Sequence, residues 1–360
     1  MVRQRKFKSS TSATSGSEAP ESSASSSSVE TVNTKNAKSF LKWVYTVLAF
    51  GAIVCVYLFL KTMNLKADED REGIDFWVVS NILHKYKHVN RPFTQGLLIL
   101  DEDLILESSG GYGDSYIQLY NYKTGRVVKK ISVGEQYFAE GIAIRKDEET
   151  GADHLHMLTW RESKVLVYHF NQSDNYNITY LHQYPIKSDG WGLINYHDGL
   201  FLATNGSAVS STFIANTGQI VDARPFTCFG QQMPYVNELQ VVGDQIIGNV
   251  FGQDIIMYFN IDTLECEKVV ACYGLYDLNS EGIRHDPNND VLNGIGHHAS
   301  FGDDKLILTG KRWPWLYEVG LERKGRARTI GGMQSMLNAI RAQTQENGGP
   351  KHVYKESQVS

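Results

Sequence analysis

The chain has 360 residues, enough for one large domain or two ordinary ones. Hydrophobic residues make up 42% and charged residues 21%, which is ordinary for a globular protein and ample for a core. A formal net charge of -5 carries no nucleic-acid footprint, so no nucleic-acid partner is expected.

Residues 9–28 are mostly Ser, Thr, Ala, Gly and Glu. They lack the apolar surface that would offset ordering entropy, so residues 1–42 are expected to form a disordered cytosolic tail. Trp43 to Leu60, WVYTVLAFGAIVCVYLFL, carries no charge and is bracketed by Lys42 and Lys61. As a helix this run rises about 27 Å, close to the hydrocarbon thickness of a bilayer. Trp43 and Tyr45 fall where an interfacial aromatic belt would sit. A single transmembrane helix is therefore expected at 43–61. A buried core helix is the competing reading, but this run is apolar all round. It lies too far along the chain for a cleaved signal peptide and lacks a small-residue cleavage site.

Arg3, Arg5, Lys6, Lys8, Lys35, Lys38 and Lys42 precede the span, and Asp68-Glu69-Asp70-Arg71-Glu72 follows it. The positive-inside rule then predicts a type II anchor, with the large domain in the lumen of the endoplasmic reticulum or Golgi. Sequons at Asn171, Asn177 and Asn205 agree with that compartment. Asn171 and Asn177 sit in a polar loop and are the expected glycan acceptors; Asn205 lies next to a strand, where burial would block it. Cys55 is in the span, and Cys228, Cys266 and Cys272 follow, so a single disulfide would leave one of those three unpaired. Cys266 and Cys272 are closest in sequence, which by itself fixes no bridge. His297 and His298 are adjacent, so on a strand they point to opposite faces, and a structural role outweighs a ligand pair.

The 32 glycines against 8 prolines, with 19 Tyr and 15 Phe, favour an all-β fold with many turns. From residue 75 the chain repeats. Five segments open at Phe93-Thr94-Gln95-Gly96, Phe138-Ala139-Glu140-Gly141, Gly190-Trp191-Gly192-Leu193, Val236-Asn237-Glu238-Leu239 and Leu292-Asn293-Gly294-Ile295. Each continues through short apolar-rich strands joined by Gly, Asp and Asn turns, at a period of about 45–55 residues. That period is the signature of β-propeller blades, so a five-bladed β-propeller is expected over residues 75–321. Phe76-Trp77-Val78-Val79-Ser80 and the segment to His88 lie before the first unit and could supply the outer strand of the last blade. A β-sandwich would not explain why the same junction recurs.

In a propeller the first strand of each blade lines the central channel. Side chains at the junctions then converge: Phe93 and Gln95, Phe138 and Glu140, Trp191, Asn237 and Asn293. Trp160 and Lys311, beside second strands, would lean over the same mouth. Glu140 lies next to an aromatic residue, where poor solvation raises a carboxyl pKa. Each residue alone has a plainer reading, such as a Glu at a strand start, a packed Trp or a solvated Lys-Arg pair. One carboxylate, one ammonium, several amides and several aromatics in register make a site.

The junctions also carry a resemblance. Phe93-Thr94-Gln95-Gly96-Leu97 and Glu107-Ser108-Ser109-Gly110 are followed in order by the Phe138 junction, Leu158-Thr159-Trp160, the Gly190, Asn237 and Leu292 junctions and Thr309-Gly310-Lys311-Arg312-Trp313-Pro314. In this order, over residues 75–320, the chain resembles the plant-type glutaminyl cyclases, also found in bacteria and some protists. The resemblance implies a five-bladed propeller and an aminoacyltransferase. Such an enzyme converts the N-terminal glutamine of peptides and proteins to pyroglutamate and releases ammonia. It carries the family's central residues onto Phe93, Gln95, Phe138, Glu140, Trp160, Trp191, Asn237 and Lys311. One position departs: where the family usually has Asn-Val-Trp or Asn-Ile-Trp, this chain has Asn249-Val250-Phe251. An aromatic wall survives at Phe251, but the indole N–H donor is lost.

The chemistry fits these residue types. The substrate's α-amine must lose a proton and attack its own side-chain amide carbon, so holding glutamine in a folded conformer supplies much of the acceleration. Phe93, Phe138, Trp160 and Trp191 would form that mould. Glu140 would take the proton and later deliver one to the departing ammonia. Lys311, or an amide of Gln95 or Asn237, would stabilise the oxyanion. The scheme calls for no metal or cofactor, unlike the zinc-dependent animal glutaminyl cyclases, which are unrelated. The alternative is a membrane-tethered propeller that only binds a peptide or protein, since fold alone does not give function. Residues 322–360 read as an extension with a short helix over Met333–Gln343, broken at Gly348-Gly349-Pro350 and mobile beyond.

Overall fold

The computed structural model describes residues 30–71, 73–197, 199–276, 286–302 and 304–352. The expected disordered stretch at 9–28 and the mobile end after 352 lie outside the described residues. The chain divides into two compact units, residues 1–71 and residues 72–360.

The first unit holds one helix, α1 (Glu30–Arg71). Its segment Lys38–Met63, 26 residues, is long and apolar enough to cross a membrane, and none of it is buried. The helix outruns the expected 43–61 on both sides because neither flank contains a proline or glycine to stop it.

The second unit is mostly β. It starts with β1 (Ile74–Lys87), then β2 (Thr94–Ile99), β3 (Leu104–Ser109), β4 (Tyr116–Asn121) and β5 (Arg126–Ser132), the last four forming an antiparallel sheet in that order. A second such sheet follows from β6 (Ala139–Lys146), β7 (Asp153–Thr159), β8 (Lys164–Asn171) and β9 (Asn177–Pro185). A third comprises β10 (Leu193–Asn195), β11 (Leu200–Ala203), β12 (Val209–Ile214) and β13 (Ile220–Pro225). The short pair β14 (Thr227–Cys228) and β15 (Gln231–Gln232) leads to β16 (Val236–Val242), β17 (Gln245–Val250), β18 (Ile255–Asn260) and β19 (Cys266–Ala271). Last come β20 (Leu292–Gly296), β21 (Lys305–Gly310), β22 (Trp315–Ala327), the helix α2 (Ile330–Asn347) and β23 (Lys351–His352).

Within the first sheet β2 to β4 are almost wholly buried, while β5 is largely exposed. Strands buried on both faces are covered by neighbouring sheets. The covering is mutual, because first strands lie against one another: β2 beside β6, β6 beside β10, β10 beside β16, β16 beside β20, and β20 beside β2 again. That approach explains the recurring glycine. A Cβ on Gly141 would overlap the carbonyl of Trp191, and one on Gly192 would overlap that of Asn237. With hydrogen in its place, the Gly141 N–H donates to the Trp191 carbonyl at 2.8 Å.

The last two sheets do not stay separate. β1 pairs antiparallel with β22 from Ile74–Ala327 to Lys87–Trp315, and its first residues, Asp75–Val78, pair parallel with β19. The result is one eight-strand path, β16-β17-β18-β19-β1-β22-β21-β20, with β23 beside β1. The segment ahead of the first repeat thus lies outside β22, and it also has a second partner in β19. β22 continues past residue 321 to Ala327 because its final residues still pair with the start of β1. Thr329 caps α2 by accepting the Gly332 N–H at 3.0 Å, and α2 sends Met333 and Leu337 into a core with Phe76 and Met257.

Three local details differ from or refine the sequence reading. Cys266 opens β19 and Cys272 follows its end, so six residues of strand hold them about 20 Å apart, too far for a bridge. Cys266 instead lies beside Cys228 in one core, while Cys272 is in another. His297 and His298 follow β20 rather than extending it; His298 caps the turn Ala299–Phe301 and His297 meets the Gly302 carbonyl at 3.1 Å. Asn205 is half-buried in a turn, accepting from the Ser207 N–H and hydroxyl, and so are Asn171 and Asn177 half-buried at their hairpin.

Candidate active site

Phe93 precedes β2 and Gln95 lies in it; Phe138 precedes β6 and Glu140 lies in it. Trp191 stands just before β10, and Asn237 is the second residue of β16. Trp160, Phe251 and Lys311 each follow the second strand of a sheet, β7, β17 and β21. An antiparallel second strand ends where the first begins, so all nine side chains come to one rim. There they line a single cavity of about 200 Å³. The tenth lining residue is Asn289, from the turn before β20, which sequence reasoning missed. Asn293 does not join them. It is fully buried, donating to the Thr94 carbonyl at 2.9 Å and accepting from Asn249 at 3.2 Å.

Aromatic rings form two walls. Phe138 lies 5.2 Å from Trp160 and 6.1 Å from Phe93, centroid to centroid, and Trp191 lies 5.7 Å from Phe251. Between the walls stand the charges. Glu140 is 4% exposed, and among the described residues no hydrogen bond reaches its carboxylate. Burial pushes that carboxyl well above its ordinary range; the Lys311 ammonium works against the rise, and Glu162 and Asp189 add to it. Lys311 is also buried, which pulls its ammonium down to about 8 against the opposing pull of Glu140 and Glu238. Its Nζ donates to Gln95 Oε1 at 2.8 Å and lies 4.9 Å from the Phe93 ring centroid and 5.3 Å from that of Phe251. Burial moves both groups towards neutral pH, the carboxyl from below and the ammonium from above, so each can exchange a proton with a ligand more readily than a free side chain does.

The amides differ in what they have left to give. Gln95 Oε1 is occupied by Lys311. The Asn237 side-chain oxygen is buried and, among the described residues, has no partner, so it can accept an N–H from a ligand. Asn289 is held by its Nδ2 donating to Asp286 at 2.6 Å. Behind the cavity Glu238 accepts the backbone N–H of Leu97 at 2.6 Å and of Ile295 at 2.8 Å, tying β16 to β2 and β20. At the mouth the Tyr112 hydroxyl donates to Glu162 at 2.7 Å, Tyr112 stacks edge-on against Phe138, and Arg161 lies 4.1 Å over the Trp160 ring. These mouth residues carry no repeat signature, and only folding brings Tyr112 to Glu162.

A cavity of about 200 Å³ is smaller than the roughly 300–1,000 Å³ of pockets for drug-sized ligands, and it suits a single amino-acid side chain. Two of its faces are apolar, one polar atom is an unfilled acceptor, and one base and one ammonium face the space. That is equipment for an amide and an amine.

Comparison with known proteins points the same way. The family model for glutamine cyclotransferase matches residues 54–321. A glutaminyl-peptide cyclotransferase from Arabidopsis thaliana is 26% identical over 280 residues, covering 74% of this chain and 80% of the relative. The crystal structure of Myxococcus xanthus glutaminyl cyclase has the same fold, with a TM-score of 0.59 at 24% identity, covering 70% of this chain and 99% of that one. With a family match over most of its length, the chain belongs to the glutamine cyclotransferase family.

Proposed function

We propose that this protein is a glutaminyl-peptide cyclotransferase, an aminoacyltransferase acting on peptides and proteins with N-terminal glutamine. The observation that carries the reading is a buried, unbonded Glu140 facing the same small aromatic cavity as a buried Lys311. The glutamine side chain enters between the two aromatic walls, and its amide donates to Asn237 Oδ1. Phe93, Phe138, Trp160, Trp191 and Phe251 exclude water and fold the side chain back on its own α-amine. The amine nitrogen attacks the amide carbon, forming the ring C–N bond, while Glu140 takes the amine proton. The ammonium of Lys311, steadied by Gln95, faces the oxyanion of the tetrahedral intermediate. The intermediate collapses, the bond to the side-chain nitrogen breaks, and Glu140 returns its proton to the departing ammonia. The binding-only alternative has no feature of the cavity in its favour.

The fold reading that accompanies this is a five-bladed propeller. It is supported by the ring of first strands and by β1 completing the sheet of β20, β21 and β22. The proposed placement is a type II anchor through 43–61 within α1, a lumenal domain in the endoplasmic reticulum or Golgi, and glycans on Asn171 and Asn177. The length of the apolar segment and the accessible hairpin support it.

The test is ammonia release from a glutamine-starting dipeptide by the full chain in detergent, beside Glu140→Gln and a parallel sample with chelator. Turnover that survives chelator and disappears in the variant supports the scheme. An active Glu140→Gln protein would sink it.

A further inference from the structure

A second cavity, of about 480 Å³, abuts the first, and Phe93 and Phe138 line both. It runs outward along the rim of the first sheet. Phe93 precedes β2, Ser109 ends β3, Tyr116 begins β4 and Lys130 lies near the end of β5, so antiparallel order sets all four at the same edge. From β2 to β5 is three strand spacings, about 14 Å, and an extended peptide rising about 3.3 Å per residue fills that length with about four residues. The small pocket holds one side chain. The rest of any peptide must lie outside it, and a trough sharing two of its walls is the adjoining space.

The charge of this groove is uneven. Arg91, Arg312 and Lys130 line it against one carboxylate, Asp114. Arg312 is offset by Asp290 at 2.6 Å. Arg91 is not: its Nε and Nη2 donate to the Arg312 carbonyl at 3.2 and 3.1 Å, and among the described residues no carboxylate pairs with it. Lys130 is exposed and sits 3.6 Å over the Tyr116 ring, a contact that fixes the ammonium without neutralising it. The inner end is built at some cost, because Asn90 and Arg91 both adopt left-handed backbone, with φ of 64° and 47°. The turn is held by the Arg91 N–H donating to His88 and by the Arg312 N–H donating to Pro92. Near Glu140 stand the carboxylates of Glu162 and Asp189, close enough to push its carboxyl up. An acidic chain is repelled there and attracted to the groove.

Resting on the reading that the pocket holds an N-terminal glutamine, we propose that this groove binds the residues following it and selects acidic peptides. Asp or Glu at about the second or third position meets Arg91, and at about the fourth or fifth meets Lys130.

The experiment uses the full chain in detergent and three peptides of one length: glutamine followed by four alanines, the same with Glu at the third and fifth positions, and the same with Lys there. Ammonia release gives kcat/KM, and calorimetry on the three pyroglutamyl products gives affinities. The Glu peptide should exceed the alanine peptide by about two- to fivefold per charge pair, and the Lys peptide should fall below it, with both gaps closing in high salt. Arg91→Gln should shrink the Glu-to-Lys ratio, and Lys130→Glu should shrink it further because it reverses a charge instead of removing one. Because each ratio is taken within one variant, lower activity or partial folding cancels. A ratio of one in the wild type, or a ratio unchanged in both variants, overturns the proposal. If no peptide releases ammonia, the activity reading fails separately, and the affinity ratios still decide the groove.

Discussion

Glu107 and Glu140 lie in neighbouring sheets and are both closed to solvent, at 0% and 4% exposure, yet they meet opposite surroundings. Glu107 is filled with partners. His88 Nε2 lies at 2.9 Å, the Thr94 hydroxyl donates at 2.7 Å and the Gln118 amide at 3.0 Å. His88 in turn meets the Trp313 carbonyl and the Thr309 hydroxyl, both at 3.0 Å, so the cluster binds the turn after β1 to β2, β3, β4 and the last sheet. Glu140 has a cavity in front of it and, among the described residues, the field of Lys311 as what favours its charge. A buried carboxylate whose lone pairs are filled joins parts of a fold. One left unfilled destabilises the fold and is available to a ligand.

The sharpest break of this contrast is Glu140→Gln. We expect turnover to fall by about 10²–10⁴-fold, while the melting temperature stays level or rises, because an isosteric neutral amide replaces a desolvated acid. Lys311→Met should cost about 10²–10³-fold in kcat through the lost oxyanion contact. It also has a pH signature in stability. The folded-state pKa of Lys311 is depressed to about 8 from 10.5, so the wild type carries the full burden of a buried ammonium below pH 8 and sheds it as pH rises towards 10.5. The variant should therefore melt higher than wild type at pH 7, with the gap closing by pH 10.5. Melting curves that run parallel across that range would remove Lys311 from the buried-charge account.

Glu107→Gln should do the reverse of Glu140→Gln. Losing a charged acceptor shared by three donors is expected to cost about 3 kcal/mol of stability, read by denaturant melts, with kcat of the folded fraction near wild type. The smallest effect belongs to Phe251→Trp, which restores an indole N–H at a wall that is already aromatic. A gained hydrogen bond is worth about 1 kcal/mol, so KM should improve by at most about fivefold with kcat level.

The nine cavity residues are legible in sequence because they obey one rule: each stands at the start of a first strand or just past a second. In three of the junctions the glycine, Gly96, Gly141 or Gly192, marks where strands pack backbone to backbone, so it flags the rim. Asn289 escapes the rule. It sits in Asp286-Pro287-Asn288-Asn289-Asp290, where nothing distinguishes an amide facing a cavity from one closing a turn. Asn293 obeys the rule and still misses the cavity. It holds the same place in β20 as Asn237 holds in β16, but its amide is taken up by the backbone of Thr94. The parallel pairing of β1 with β19 was not legible either. A repeat period gives the number of strands in a unit, and leaves open which distant segment lies against its edge.

β1 has a consequence for how the chain is made. Its partner β22 lies about 230 residues further on, so the strand emerges long before anything exists to pair with it. At roughly 5–20 residues per second, ribosomes would leave the edge that β22 covers open for roughly 10–45 s. Fourteen residues with Phe76, Val78, Val79 and Ile82 on show form a surface that other chains can add to, and long-range closure is slow. Chains stopped at residue 314 would never lose that surface. They should accumulate as aggregates bound by chaperones, so a strand made near the end of synthesis decides whether the first is ever safe.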